Sequence, residues 1–311
     1  MNFDLEFHSP LQPIELSKDK SIQVFIKRDD LIHSEISGNK WRKLKYNLMQ
    51  AKSKNIETIL TFGGAYSNHI AATAAAGKLF GFKTIGMIRG EKSKQLNVTL
   101  LQAEKNGMSF NYISRSDYKN KKSYELKEEL QNKFGNFYLI PEGGANFYGV
   151  NGCMEIMDEI DQPFDFIACP CGTGTTLAGI ILKLKPDQKA LGFSALKDGD
   201  FLKTEILNII AEFLGDEKLA LEYADKFEII TQYDFGGYAK HTQELLDFMK
   251  DFHTSHGIKT DPIYSGKMFF GLCDLLNKNY FKKGSRVVAL HTGGLQGIKG
   301  FEERHRISIY N

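Results

Sequence analysis

Thr58-Ile59-Leu60-Thr61-Phe62-Gly63-Gly64-Ala65-Tyr66-Ser67-Asn68-His69 is the stretch on which the reading of the fold turns. Its first five residues are a short run of the kind that fills a buried strand, and the glycine pair ends it. Ser67 and Asn68 are good helix N-caps, and the alanine-rich stretch 67–79 behind them reads as helix. Beyond this stretch, 83–88 is a further strand, and Leu96, Thr99, Leu100 and Ala103 recur at helical spacing. Strand-like 109–113, helix-like 124–134 and strand-like 137–140 follow. Strand–helix repeats of this length imply right-handed crossovers and a mostly parallel sheet. A second series has strands at 164–168, 190–194, 227–230 and 287–290, with a long helical pattern over 239–252. The expected fold class is α/β: two open, twisted, mostly parallel sheets in two domains, with a site in the cleft between them. The early strand 22–27 could belong to either sheet.

Composition narrows the function. At 311 residues the chain suits two domains or one large one. A hydrophobic share of 42% and a charged share of 25% are those of an ordinary folded protein. Forty Lys and Arg against 38 Asp and Glu leave a net charge of +2, so no global field favours nucleic acid or an anionic membrane. No apolar run approaches the roughly 20 residues of a membrane-spanning helix. The start, Met1-Asn2-Phe3-Asp4-Leu5-Glu6, is acidic and does not read as a signal peptide. Cys153, Cys169, Cys171 and Cys273 are too few for a disulfide scaffold, and their spacing is no zinc pattern. A reduced, cytoplasmic enzyme without a metal site is the expectation, its partner a small molecule rather than a nucleic acid or a membrane.

Several turns carry the chemistry. Ser37-Gly38-Asn39-Lys40-Trp41-Arg42-Lys43 leads from a loop into an amphipathic helix. A lysine at a helix start meets the positive end of the dipole, and burial lowers its pKa further, which suits a Schiff-base nucleophile. The same residues would also make an ordinary solvated basic face. Gly63-Gly64 and Ser67-Asn68-His69 let a ligand approach the backbone, or simply cap a helix, and His69 is a base or a structural histidine. Cys169-Pro170-Cys171-Gly172-Thr173-Gly174-Thr175-Thr176 follows a strand and opens a helix, gathering amides and hydroxyls as a phosphate cradle does. It has neither the lysine of a nucleotide P-loop nor the dinucleotide glycine pattern. Cys169 and Cys171 read as buried small hydrophobes. His291-Thr292-Gly293-Gly294 is another glycine turn at a strand end, where open α/β sheets bind ligands. Asp261-Pro262-Ile263-Tyr264-Ser265-Gly266-Lys267 is a rigid turn presenting a tyrosine. A lysine, a phosphate loop and polar strand-end turns together suggest pyridoxal phosphate (PLP).

In these turns, with Lys27-Arg28-Asp29-Asp30 and Pro141-Glu142-Gly143-Gly144, the chain resembles the fold type II, tryptophan-synthase β-like PLP enzymes. Within them it is most similar to the 1-aminocyclopropane-1-carboxylate (ACC) deaminase and D-cysteine desulfhydrase family. The motifs run in order along almost the whole chain. The resemblance implies a larger PLP-binding domain of residues 1–45 and 150–311 and a smaller one of 46–149, in a homodimer. It implies that Lys40 binds the cofactor covalently, with Lys43 beside the phosphate and Gly172, Thr173, Gly174, Thr175 and Thr176 around it. Asn68 would meet the pyridoxal 3-hydroxyl oxygen, and Thr292 would also face the cofactor. Ser67, as base or carboxylate contact, would lie on the substrate side with Asn68, His69, Tyr238 and Tyr264. The deaminases carry a glutamate directly after the second tyrosine, at the pyridine nitrogen; here it is Ser265. A hydroxyl there gives a weaker electron sink, which favours β-elimination over cyclopropane opening. The expected reaction is α-proton abstraction and β-elimination from a small, D-cysteine-like amino acid. The alternatives are ACC deamination, a PLP-binding homologue without efficient turnover, and a sugar-phosphate binding protein built on the Gly/Thr loop.

Overall fold

The computed structural model describes residues 8–310, and the reading of the acidic start falls outside them. The strands are β1 (Leu11–Ile14), β2 (Gln23–Lys27), β3 (Thr58–Gly63), β4 (Lys83–Arg89), β5 (Met108–Ile113), β6 (Tyr138–Ile140), β7 (Phe166–Cys171), β8 (Lys189–Ser194), β9 (Phe227–Ile230) and β10 (Arg286–Leu290). The helices are α1 (Asn39–Ser53), α2 (Asn68–Phe80), α3 (Val98–Lys105), α4 (Arg115–Lys119), α5 (Tyr124–Phe134), α6 (Phe147–Asp158), α7 (Thr175–Ile181), α8 (Leu202–Leu214), α9 (Glu217–Leu221), α10 (Gln243–His256), α11 (Ser265–Asn277) and α12 (Gly297–His305). One sheet has the order β1-β2-β10-β7-β8-β9 and the other β5-β4-β3-β6. Every pairing is parallel except that of β1 with β2 at the edge of the larger sheet. The class expected from the sequence is therefore the class observed. The strand left open, β2, pairs with β10 and so joins the larger sheet.

Helices cover both faces of the larger sheet, as parallel strands require. Alternation along β10 shows it: Val288 and Leu290 pack with Leu177, Ile180 and Ile206 from α7 and α8. Val287 and Ala289 turn to the other face, with Phe252 of α10 and Met268, Phe269 and Leu272 of α11. In the smaller sheet Ile59 and Ile140 pack against Trp41, Leu44 and Leu48 of α1 and the alanines of α2. Helix α1 also presses on α6 at Gly152, where a Cβ would stand 1.8 Å from the Arg42 carbonyl oxygen. No larger residue lets those backbones meet. α1 thus bridges the two sheets, and it crosses position 45/46 as one unbroken helix.

Two expected elements shift. The pattern over 239–252 predicts a helix from 239, but α10 begins at Gln243, where Thr242 caps it by accepting from Leu245 N–H. Ala239 has a φ of 56°, which no helix interior tolerates. The strand expected over 164–168 runs instead over Phe166–Cys171, because its register follows β8 as far as Cys171↔Ser194. Cys153, Cys169 and Cys171 are free and buried, and burial raises their thiols' pKa, in keeping with packing roles.

Candidate active site

The carboxyl ends of β3, β4, β6, β7 and β10 open on one cavity of about 490 Å³, a size that suits a cofactor with a small substrate. α1 brings Lys40 and Lys43 to it. The start of α1 is tied down from two sides. Asn39 N–H donates to the Thr292 carbonyl at 3.2 Å, and Asn39 Nδ2 donates to Thr176 Oγ1 at 3.0 Å. Gly38 has a φ of 62° and lies so close to Thr292 that a Cβ would fall 1.9 Å from its carbonyl oxygen. The glycine is therefore required where α1 docks on the turn after β10.

The two lysines have no ion pair among the described residues. Burial, and then the charge of Lys43, brings the Lys40 pKa from 10.5 to about 7. Its ammonium donates to Asn39 Oδ1 at 3.3 Å. Burial also lowers Lys43. Ser67, also in the lining, caps α2 by accepting from the N–H groups of His69 and Ile70. Asn68 follows, its Oδ1 buried without a partner. His69 is buried, and desolvation, with the charges of Lys40 and Lys43, lowers its pKa to about 3. Thr61 Oγ1 donates its one proton to the Ile140 carbonyl at 2.8 Å, so at 2.8 Å from His69 Nε2 it accepts. The neutral imidazole then holds its proton on Nε2 and leaves Nδ1 a buried acceptor without a partner.

Gly172, Thr173, Gly174 and Thr176 also line the cavity. Gly174 has a φ of 81° and caps α7, and a Cβ on Gly172 would meet Tyr264 Cε1 at 2.9 Å. Tyr264 stands edge-on to Tyr238 with ring centres 6.1 Å apart; burial raises the pKa of the Tyr264 phenol, and desolvation against the cavity wall also raises that of Tyr238, which stays half exposed. Thr292 completes the lining expected from the sequence.

Two expected residues stand behind the lining rather than in it. Thr175 is buried, its hydroxyl 3.3 Å from that of Thr173. Ser265 is fully buried and bound to Asp261: its Oγ donates to Asp261 Oδ2 at 2.7 Å and accepts from Asp261 N–H at 2.8 Å. The Asp261 carboxylate also accepts from the N–H groups of Ile263, Tyr264 and Ser265. The cavity has further walls that the sequence reading did not single out: Tyr66, Arg89, Leu196 and Arg304. Arg89, the last residue of β4, could have been found from the rule that strand ends carry sites. Arg304, in the last turn of a C-terminal helix, gives no such signal.

The sequence model of a family described as pyridoxal-phosphate dependent enzyme matches residues 3–293. This chain belongs to that family. Among relatives of the PLP enzyme, a putative 1-aminocyclopropane-1-carboxylate deaminase of Pyrococcus horikoshii is 33% identical, over 94% of this chain and 91% of the relative. A bifunctional D-cysteine desulfhydrase/1-aminocyclopropane-1-carboxylate deaminase of Arabidopsis thaliana is 32% identical, over 89% of this chain and 73% of the relative. The crystal structure of an ACC deaminase homologue superposes with a TM-score of 0.80 at 32% identity, covering 96% of this chain and 93% of the other. A hydrogen sulfide-producing enzyme from Fusobacterium nucleatum shares the fold, with a TM-score of 0.68 at 17% identity.

The residues present fit PLP. An aldehyde needs an uncharged amine, and Lys40 titrates near neutrality. A phosphate needs cations and N–H groups, and Lys43 with the Gly/Thr turn supplies them in the cavity lining. The buried, unpartnered Asn68 Oδ1 and His69 Nδ1 are acceptors for a molecule that brings donors. No helix among the described residues is long and apolar enough to cross a membrane.

Proposed function

We propose that this PLP enzyme is a lyase that deaminates a small amino acid by α-proton abstraction and β-elimination, with a D-cysteine-like substrate yielding pyruvate, ammonia and sulfide. The reading is supported by the relatives named for D-cysteine desulfhydrase and ACC deaminase activities. One observation favours elimination over ring opening. The cavity wall offers no free carboxylate at 261–265: Ser265 replaces an acid there, and Asp261 is saturated by Ser265 Oγ and three backbone N–H groups.

PLP, when bound, supplies an electrophilic carbonyl and an electron sink. The chain supplies the rest. Lys40, half uncharged near pH 7, is the covalent anchor and then carries the α-proton. Lys43, Gly172, Thr173, Gly174 and Thr176 hold the phosphate, and Asn68 and Thr292 orient the ring. Ser67 presents its hydroxyl to the substrate carboxylate. His69 stays neutral and serves as an acceptor rather than a cation. Tyr264 and Tyr238 keep their protons at neutral pH, so they donate rather than abstract. The same reading carries a cytoplasmic homodimer and the division into 1–45 with 150–311 and 46–149. Support for that division comes from the sheets, since β1, β2 and β7 to β10 form one and β3 to β6 the other.

The deciding experiment is a steady-state comparison of pyruvate release from D-cysteine with 2-oxobutanoate release from ACC. The expected kcat/KM ratio is at least about 10 in favour of D-cysteine, which needs only about 1.4 kcal/mol between transition states. Faster ACC turnover would overturn the choice. Absence of keto acid from either would leave a cofactor-binding homologue instead.

A further inference from the structure

Two guanidinium groups line the cavity with no acidic partner among the described residues. Arg89 ends β4, with its Cζ 5.5 Å from the centre of the Tyr118 ring. Its Nη2 is near Gly64, 3.7 Å from where a Cβ would stand. Arg304 places its Cζ 5.6 Å from the centre of the Tyr66 ring. Gly64 and Tyr66 belong to the turn that presents Ser67 and Asn68, so the two cations flank that turn. The acid lining the cavity is Glu142, and Lys121 pairs with it at 3.1 Å.

The charges then do not balance for a plain amino acid. The cofactor phosphate has Lys43 and the Gly/Thr turn. An amino acid is a zwitterion, and in the function proposed for this site its α-carboxylate goes to Ser67. Arg89 and Arg304, exposed residues of the cavity lining, are left with no counter-charge among the described residues. A guanidinium fork matches a tetrahedral oxyanion and gains most from one that it meets within a cavity.

Resting on the PLP-lyase reading, we propose that the site accepts amino acids whose β-carbon carries an anionic oxyester, serine O-phosphate or O-sulfate, and eliminates the oxyanion. The Cα–H proton is removed, a Cα–Cβ double bond forms, and the Cβ–O bond pair leaves with the phosphate or sulfate. With one water the products are pyruvate, ammonium and the free oxyanion. No oxidant or reductant enters.

The test titrates the holoenzyme calorimetrically with serine O-phosphate, serine O-sulfate and neutral O-methylserine, each in both chiralities. Pyruvate release from the two esters and from β-chloroalanine is measured in parallel. The esters should bind at least about ten-fold more tightly than O-methylserine, as charge-assisted hydrogen bonds allow. Tighter binding of the phosphate than of the sulfate would show that both arginines count the full charge. Arg89→Met and Arg304→Met should each lower the ester-to-neutral ratio about ten-fold, in affinity and in kcat/KM, and Arg→Lys should recover part of it. Equal affinity for charged and neutral ligands overturns the proposal. So does an equal loss for both in the variants, which would assign the arginines to the α-carboxylate. Turnover of β-chloroalanine alone overturns it too. Because binding is read without turnover, pyruvate from none of the compounds would count against the lyase reading and leave the preference of the arginines measured.

Discussion

Lys40 owes its chemistry to a pKa of about 7. Below that pH its nitrogen is an ammonium and cannot attack an aldehyde; above it the free amine dominates. The rate at which cofactor-free protein captures PLP should therefore rise through pH 7 and level off by about pH 8, followed by absorbance. An inflection near 10 would mean an ordinary, solvated lysine. Borohydride reduction and peptide mapping should place the pyridoxyl group on Lys40. Lys43→Ala should keep that label but weaken PLP binding by about 1–3 kcal/mol, the worth of one charge-assisted hydrogen bond. His69 makes a separate prediction. Its folded pKa is lowered from 6.5 to about 3, so the unfolded chain takes up a proton that the native chain refuses. Stability is fully present above pH 6.5 and falls as the pH drops towards 3. His69→Gln, which can keep a hydrogen bond to Thr61, should flatten the dependence of melting temperature on pH over that window.

Single side chains act here through elements that hold them. Lys267, two residues beyond Ser265, is buried and donates to the carbonyls of Asp234 at 2.6 Å and Gly237 at 2.7 Å. Those carbonyls belong to the loop that carries Tyr238, in which Phe235, Gly236, Gly237 and Ala239 all have positive φ. Such a backbone costs of order 1 kcal/mol or more at each non-glycine position and persists only where the surroundings impose it. Lys267→Met should remove about 1.5–3 kcal/mol of restraint for each of these two charge-assisted hydrogen bonds. Amide exchange across 234–239 should quicken and kcat should fall, while PLP stays bound. Unchanged exchange there would show that the loop holds itself. The Gly/Thr turn is the second such element. Gly174→Val forces a β-branched residue to a φ of 81° and against Ile206, 2.7 Å from the new Cβ. PLP affinity should drop sharply, and an unchanged dissociation constant would remove the turn from the phosphate site.

Across the whole molecule, a buried ion network fixes where α1 lies. Arg42 donates to both oxygens of Asp29, at 2.9 and 3.2 Å, and to Glu159 beyond the end of α6. Lys27, at the end of β2, also donates to Glu159, at 2.7 Å. Burial opposes the charge on Arg42, but Asp29 and Glu159 outweigh it and raise its pKa. The network thus joins β2, α1 and α6 two residues from Lys40. Arg42→Met strands Asp29 as a buried charge and should cost about 3–5 kcal/mol of stability. Chemical denaturation would show it as a lower midpoint at unchanged slope. A loss below about 1 kcal/mol would mean that packing alone seats the helix.

The order of the amino acids dictates the alternation of strands and helices, because each element's period is a local property of its side chains. It also determined the glycine turns at 38, 172 and 174 and the candidacy of Lys40, since a turn that only glycine can make leaves its mark in the letters. It left the place of β2 undecided, because a strand's neighbour is chosen by contacts hundreds of residues away: Gln23 lies beside Arg286. It read the helix over 239–252 as starting too early, since hydrophobic spacing does not register the φ of Ala239. Ser265 could be identified by its position in a motif, but not its commitment to Asp261, which depends on how the turn closes. Only tertiary structure brought Arg89 and Arg304 to one cavity. They come from the end of a strand and the end of a distant helix, and nothing in the local sequence of either shows which charges will be left without a partner.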